Sequence, residues 1–310
     1  MTVVPTRGTW RRRGAALAGS ALILALAACA PGGAAPSPSA STAGALPEGV
    51  EVELYQLRSD VAERGAQVRL VNGSDDDLVI TRVTFDDDWF TGASVRERES
   101  AIAAGRTVDL RIELPESACD DEPDAAERTS RVTLEFTVGD DDASRAATVE
   151  VADPLGFTEL VHEKECLRHD LAQLATLEWT SFTPNAAPAP AQLVLSITPG
   201  SATAAATGEL VQIETTNLLQ FADLPTPFPL AIALPLAPDA DTAVREVEVP
   251  LVPLRCDPHA VMEDKRGTVF NLGVQVDGAV GVVEVAASEQ LRGDILRWVS
   301  DWCGFGPGQG

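Results

Sequence analysis

The chain has 310 residues, with 47 acidic and 23 basic side chains and a formal charge of −24. Apolar residues make up 45%, enough to bury a core and too many for a wholly disordered chain. The acidic balance excludes a nucleic-acid partner, since no basic stripe exists to neutralise phosphates, and the length allows about two domains at ~100–200 residues each.

Arg7, Arg11, Arg12 and Arg13 open the chain without an acid among them, and Ala15–Ala28 follows as an apolar run of 14 residues. As a helix that run would rise ~21 Å at ~1.5 Å per residue, short of the ~30 Å hydrocarbon core. The pattern therefore predicts a signal peptide over 1–28 rather than a span. The run ends in Leu26-Ala27-Ala28-Cys29. This string resembles the lipobox of bacterial lipoproteins, in which an aliphatic residue and two small ones precede a cysteine. The resemblance implies that the Cys29 thiol carries a diacylglycerol with palmitate-type chains and becomes the mature N-terminus. It places the body on the extracytoplasmic face of a bacterial cell membrane, with the membrane as partner through the lipid anchor. Loss of 1–28 removes four arginines and no acid, so the mature charge becomes −28. Residues 29–48 hold Pro31, Pro36, Pro38 and Pro47 among Gly, Ser, Thr and Ala, and read as a tether. From Ala30 it would reach at most ~60 Å at ~3.1 Å per residue. Two lysines against 21 arginines, with abundant alanine, resemble actinobacterial composition.

Beyond Glu48 the dominant period is two. Thr107–Leu114, Ser130–Val138 and Gly267–Val276 alternate apolar and polar side chains and predict half-buried antiparallel strands. Gln67–Val71, Leu78–Phe85, Thr176–Phe182, Gln192–Thr198, Leu210–Thr215, Pro229–Pro235 and Val244–Leu251 predict further strands. Asp277-Gly278 between two apolar runs signals a type I′ hairpin. Helical spacing appears at Phe157–Leu167 and Ser288–Trp302, each after a Val-Glu-Val-Ala string and each ending at or near a cysteine.

Cys119 and Cys166 are 47 positions apart, and so are Cys256 and Cys303. Both pairs bracket the same order of features: strand, Cys, charged loop, strand, turn, Val-Glu-Val-Ala strand, helix, Cys. The expectation is an all-β chain of two tandem immunoglobulin-like β-sandwich domains related by internal duplication, each with a short C-terminal helix. Their bounds are 49–172 and 173–304, with 305–310 a flexible tail. A flattened barrel is the alternative, and the Cys-Trp-Cys spacing of true immunoglobulin domains is absent. Four cysteines besides Cys29 in an oxidising compartment imply disulfides, and the repeat selects Cys119–Cys166 and Cys256–Cys303.

No nucleophile, zincin, P-loop or dinucleotide motif occurs, so neither catalytic residues nor a cofactor are expected. His162, Cys166 and His169 have the spacing of a metal site, but a disulfide sulfur is no zinc thiolate, so no metal is assigned and both histidines are expected on a helix surface. The acid runs Asp75–Asp77, Asp86–Asp88, Asp120–Glu122 and Asp140–Asp142 are contiguous rather than alternating, which suits solubilising turns better than a Ca²⁺ loop. Trp89 and Phe90 read as core-closing aromatics or as an exposed sugar or protein anchor. The stretch Arg255–Arg266 is charged with both signs, and is similar to a segment of exported actinobacterial proteins of uncharacterised activity. Its candidate binding residues are His259, Glu263, Asp264 and Lys265, against the alternative of a solvated crossover with local pairing. The reading is a membrane-anchored, non-enzymatic binding or interaction module with an envelope protein as partner. The alternatives are a solute-binding lipoprotein of an importer and a hydrolase with an unrecognised site.

Overall fold

The structure, a computed structural model, describes residues 42–120, 128–201, 206–223, 226–236 and 244–305. The expected signal peptide, Cys29, most of the tether and the acids of 121–127 lie outside the described residues. The strands of the first half are β1 (Thr42–Ala43), β2 (Val50–Tyr55), β3 (Gly65–Asn72), β4 (Leu78–Asp87), β5 (Ser94–Arg96), β6 (Ser100–Ile102), β7 (Thr107–Glu113), β8 (Ser130–Val138) and β9 (Asp141–Glu150). One sheet runs β2-β3-β7. The other runs β1-β9-β8-β4-β5, with β6 also on β4. Alternation drives one face of each strand inward. Leu54, Val68, Leu70, Leu110 and Ile112 from the first sheet meet Ile80, Val83, Phe85, Val132, Leu134 and Phe136 from the second in one buried core. Ile80 and Val83 are both buried although three apart, because the β4–β8 register shifts between Ile80 and Arg82. The extra residue of the bulge restores the inward phase.

The helix α1 (Phe157–Leu174) follows, and then the second set: β10 (Ala175–Thr183), β11 (Ala191–Pro199), β12 (Gly208–Ile213), β13 (Leu219–Phe221), β14 (Phe228–Leu234), β15 (Arg245–Pro253), the short helix α2 (Pro258–Met262), β16 (Val269–Val276), β17 (Ala279–Ala286) and α3 (Glu289–Trp302). Their sheets run β10-β11-β15-β13 and β14-β12-β16-β17. The β2-β3-β7 order recurs as β10-β11-β15, and β9-β8-β4 recurs as β17-β16-β12, the two-sheet connectivity of an immunoglobulin-like sandwich. The fold is thus all-β, two tandem sandwiches each followed by a helix. Asp277 and Gly278 both adopt positive φ, 44° and 95°, and close the β16–β17 hairpin as a two-residue turn. Both expected disulfides are present, with Cα–Cα distances of 5.1 Å for Cys119–Cys166 and 5.2 Å for Cys256–Cys303.

Two features depart from the expectations. The last part of the tether does not run free: β1 pairs in parallel with β9, Gly44 N–H donates to the Ala146 carbonyl at 2.8 Å, and Leu46 packs on the first core. An edge strand with unpaired backbone groups has captured it. The first helix is not short. It continues past Cys166 for eight residues, because Leu167, Leu171 and Leu174 keep the three-and-four spacing of an apolar face. That continuation puts His169 inside the helix, beyond the expected end at Leu167, and carries the helix through position 172. Its two ends serve different cores: Phe157 joins the first, and Leu167, Leu171 and Leu174 join the second.

The helix lies close on β17. A Cβ on Gly281 would stand 2.5 Å from Leu167 Cδ2. We expect Gly281→Leu to cost about 1 kcal/mol, the low end for overpacking, because the Leu167 methyl it meets borders a cleft and can shift, read as a lower midpoint in thermal unfolding. An unchanged midpoint would mean that α1 is not held against this strand.

Candidate functional site

The histidine–cysteine spacing on α1 does not assemble a metal site. Cys166 is in its disulfide. His162 is buried at 2% exposure, which corrects the expectation of a surface histidine. Its ring stacks on Trp89 at 4.1 Å between centroids, and its Nε2 lies 3.3 Å from the Ala118 carbonyl. Trp89 and Phe90 are each 6% exposed and belong to the first core, so the aromatic pair after the acid run closes the sandwich end. His169 stays on the surface, 3.6 Å from Asp120. Among the described residues, no group of three or more His, Cys, Asp or Glu side chains stands close enough to hold a metal ion.

The acid runs are divided among local tasks. Asp77 accepts from the Ala104 N–H at 2.9 Å. Asp86 pairs with Arg131 at 3.0 Å, Asp87 accepts from Trp89 N–H at 2.9 Å and Ser130 Oγ at 2.5 Å, and Asp88 accepts from Thr129 N–H at 3.0 Å. Asp141 takes the Ala143 N–H at 3.0 Å and Arg145 at 2.7 Å, and these two donors, the backbone one first, hold its carboxyl below the usual range. Neighbouring acids point to different partners, as contiguous residues must.

The Arg255–Arg266 stretch begins at the second disulfide and forms α2. His259, Glu263 and Lys265 are exposed, and the His259 N–H donates to Asp257 Oδ1 at 2.9 Å. Asp264 is separated from these three: it is 7% exposed and turned inward, accepting from Asn217 Nδ2 at 2.7 Å and from the Gly267 N–H at 2.5 Å. It anchors the loop rather than sharing the outer face. Arg266 pairs with Glu284 at 2.9 Å, and Lys164 of α1 reaches the same carboxylate at 3.4 Å. Burial pushes the Glu284 carboxyl up, but the Arg266 bond and the charge of Lys164 outweigh it and leave it below its ordinary value.

Two clefts were not foreseen. One, of about 460 Å³, lies between α1 and β17 and is lined by Leu160, Lys164, Leu167, Val280, Val282 and Glu284. The other, of about 650 Å³, runs beside β7 and is lined by Glu63, Arg96, Arg98, Asp109, Arg111 and Glu113. Asp109 of its lining is held from outside the cleft: Tyr55 Oη donates to it at 2.5 Å, while Arg69 bonds it at 2.9 Å and lies 4.3 Å over the Tyr55 ring. The Arg69 bond is the main reason that the Asp109 carboxyl sits below its ordinary value. The sequence signal for this cleft was Arg96-Glu97-Arg98, two cations in the half of the chain where residues 29–170 carry 31 acids against 13 bases.

No family model and no curated protein matches the chain. Among solved structures, it is similar to a transglutaminase of red sea bream at 11% identity and a TM-score of 0.22, over 77% of this chain and 31% of that one. It spans about a third of that enzyme. It is also similar to a chaperone–tip adhesion subunit pre-assembly complex of Csu pili from Acinetobacter baumannii, at 12% identity and a TM-score of 0.20, over 77% of this chain and all of that one.

Proposed function

We propose that the chain is a lipid-anchored, extracytoplasmic interaction module: two disulfide-closed sandwiches on a tether from acylated Cys29, engaging an envelope protein without chemistry of their own. The observation that carries this reading is the succession of basic segment, apolar run, Leu26-Ala27-Ala28-Cys29 and proline-bearing linker ahead of the folded body. In support, the three histidines are dispersed among a ring stack, a surface contact with Asp120 and an exposed loop. His259, Glu263 and Lys265 supply an exposed face of mixed charge on the second sandwich.

Replacing Cys29 by Ala should move the protein from the detergent phase to the aqueous phase in a partitioning assay, and unchanged partitioning would remove the anchor. A pull-down from the native envelope with the wild-type protein then supplies the partner. Substitutions at His259, Glu263 or Lys265 are expected to weaken that partner's binding by up to about fivefold, since exposed charge pairs are worth ~0.2–1 kcal/mol and rim charges act mainly on the association rate. Neutralising Asp75–Asp77 or Asp140–Asp142 should leave it within about twofold. The opposite ranking would place the contact on the acidic turns.

A further inference from the structure

The first sandwich has a sheet edge whose outward backbone groups are unpaired, with β5 of the other sheet close beside it. β7 pairs with β3 and with no other strand. Two bonds fix which of its backbone groups are used there: Leu114 N–H donates to the Arg64 carbonyl at 2.7 Å, and Asn72 N–H donates to the Arg106 carbonyl at 2.9 Å. In an antiparallel ladder the groups alternate in direction, so the even-numbered residues between these bonds face β3. The N–H and C=O groups of Thr107, Asp109, Arg111 and Glu113 face outward. No described residue hydrogen bonds to them.

The 650 Å³ cleft runs along this same edge. Three of its charged groups are already satisfied: Glu63 and Arg111 pair at 2.5 Å, and Asp109 pairs with Arg69 at 2.9 Å. Arg96, Arg98 and Glu113 are not, and Glu113 stands on β7 itself. The Arg96 guanidinium donates to the Arg98 carbonyl at 2.6 Å and to Ser100 Oγ at 3.0 Å, and neither Arg96 nor Arg98 meets a carboxylate among the described residues. Partial burial, with Arg98 beside it, holds Arg96 below the ordinary arginine value, so its charged form lacks a counter-ion. The pair is surrounded by an excess of acids in sequence, yet none is placed on it.

We propose that the β7 edge is a strand-addition site for an extended, acidic segment of a partner protein. The segment pairs with the outward backbone groups of Asp109, Arg111 and Glu113 and sets a carboxylate on Arg96 and Arg98. Main-chain bonds supply affinity in this mode and the side-chain contacts supply selectivity, while guanidinium–carboxylate bonds are among the stronger hydrogen bonds available. The body's net negative charge does not forbid an acidic ligand, because it is screened beyond ~8 Å at physiological salt and the contact charges decide. The site deepens the interaction-module reading and is independent of both the anchor and the His259 loop.

The test uses the detergent-solubilised protein and a fluorescein-labelled peptide of alternating valine and glutamate, followed by fluorescence anisotropy. Saturable binding is expected. It should weaken at least about tenfold in Arg96→Ala/Arg98→Ala, and be lost when alternate peptide amides are N-methylated or when lysine replaces glutamate. Glu113→Pro removes one outward N–H at the end of the strand and should also weaken binding. The N-methylated peptide asks the same question without touching the fold. No binding up to about 1 mM, a level worth only ~4 kcal/mol, overturns the proposal. So does binding that is indifferent to the arginines or to N-methylation, or a concentration-dependent dimer, dissolved by Glu113→Pro, in place of peptide binding. Each of these leaves the envelope pull-down free to succeed or fail on its own.

Discussion

Replacing Cys119 and Cys166 together by Ser is expected to lower stability by about 4 kcal/mol, the chain-entropy value for a closed loop of roughly 48 residues. At ~4 °C per kcal/mol for a domain of this size, the unfolding midpoint should fall by roughly 15 °C. The same substitution at Cys256 and Cys303 closes an equal loop and should cost a similar amount, but the two losses should spread differently. Cys166 sits mid-helix in α1, between Phe157 on the first core and Leu171 and Leu174 on the second. Freeing it loosens the element that both sandwiches share, so amide exchange should rise in β8 and β9 and also in β10 and β17. Cys303 follows α3, whose buried residues Ile295, Trp298 and Val299 belong to the second core alone. Its loss should leave exchange in β2, β3 and β4 unchanged. If both double variants loosened both halves equally, α1 would not be the coupling element.

The same helix shows where reading by pattern succeeded and where it stopped. Strands with strict alternation, such as Ser130–Val138, were legible because half-burial leaves a period of two in the side chains. The disulfide pairing was legible because two copies of one order of features left a single consistent choice. The length of α1 was not, because the analogy with α3 ends at a cysteine, whereas Leu167, Leu171 and Leu174 continue the face. Those leucines are a property of packing between the sandwiches, which the repeat alone does not encode. A fragment beginning at residue 173 would lack Leu167 and Leu171 and would leave their sites in the second core open. β2 was also missed, although Val50, Val52 and Leu54 alternate with Glu51 and Glu53; its nearness to the tether disguised it. At the candidate sites, sequence marked the charged loop around His259 but not which of its acids turns inward. It also gave little warning of the β7 cleft, because an unpaired edge is a statement about which strand is missing from its ladder.

Asp264 is where that distinction has the largest consequence. Its carboxylate is buried and accepts from Asn217 Nδ2 at 2.7 Å and the Gly267 N–H at 2.5 Å, while its own carbonyl accepts from Arg292 Nη2 at 2.9 Å. Gly267 is required beside it, since a Cβ there would collide with the Asp264 carboxylate and with Leu218 Cβ. The Gly267 carbonyl in turn accepts from Thr216 Oγ1 at 2.8 Å, tying the loop to the segment before β13. Asp264→Ala would strip the partner from the buried Gly267 N–H, left unsatisfied at ~1–3 kcal/mol, while the exposed Asn217 amide can turn to water. We expect a loss of about 2 kcal/mol. Asp264→Asn keeps one acceptor oxygen but turns an NH₂ toward a donor, so about half of that loss is expected. Denaturant unfolding of the two variants reads both. The ordering also separates structure from contact. If the outer face of the loop binds a partner, Glu263→Gln and Lys265→Ala should reduce binding with no change in the unfolding midpoint, whereas Asp264→Ala should reduce both together. Wild-type stability in Asp264→Ala would show that the carboxylate is not what holds the loop, and would return Asp264 to the binding face.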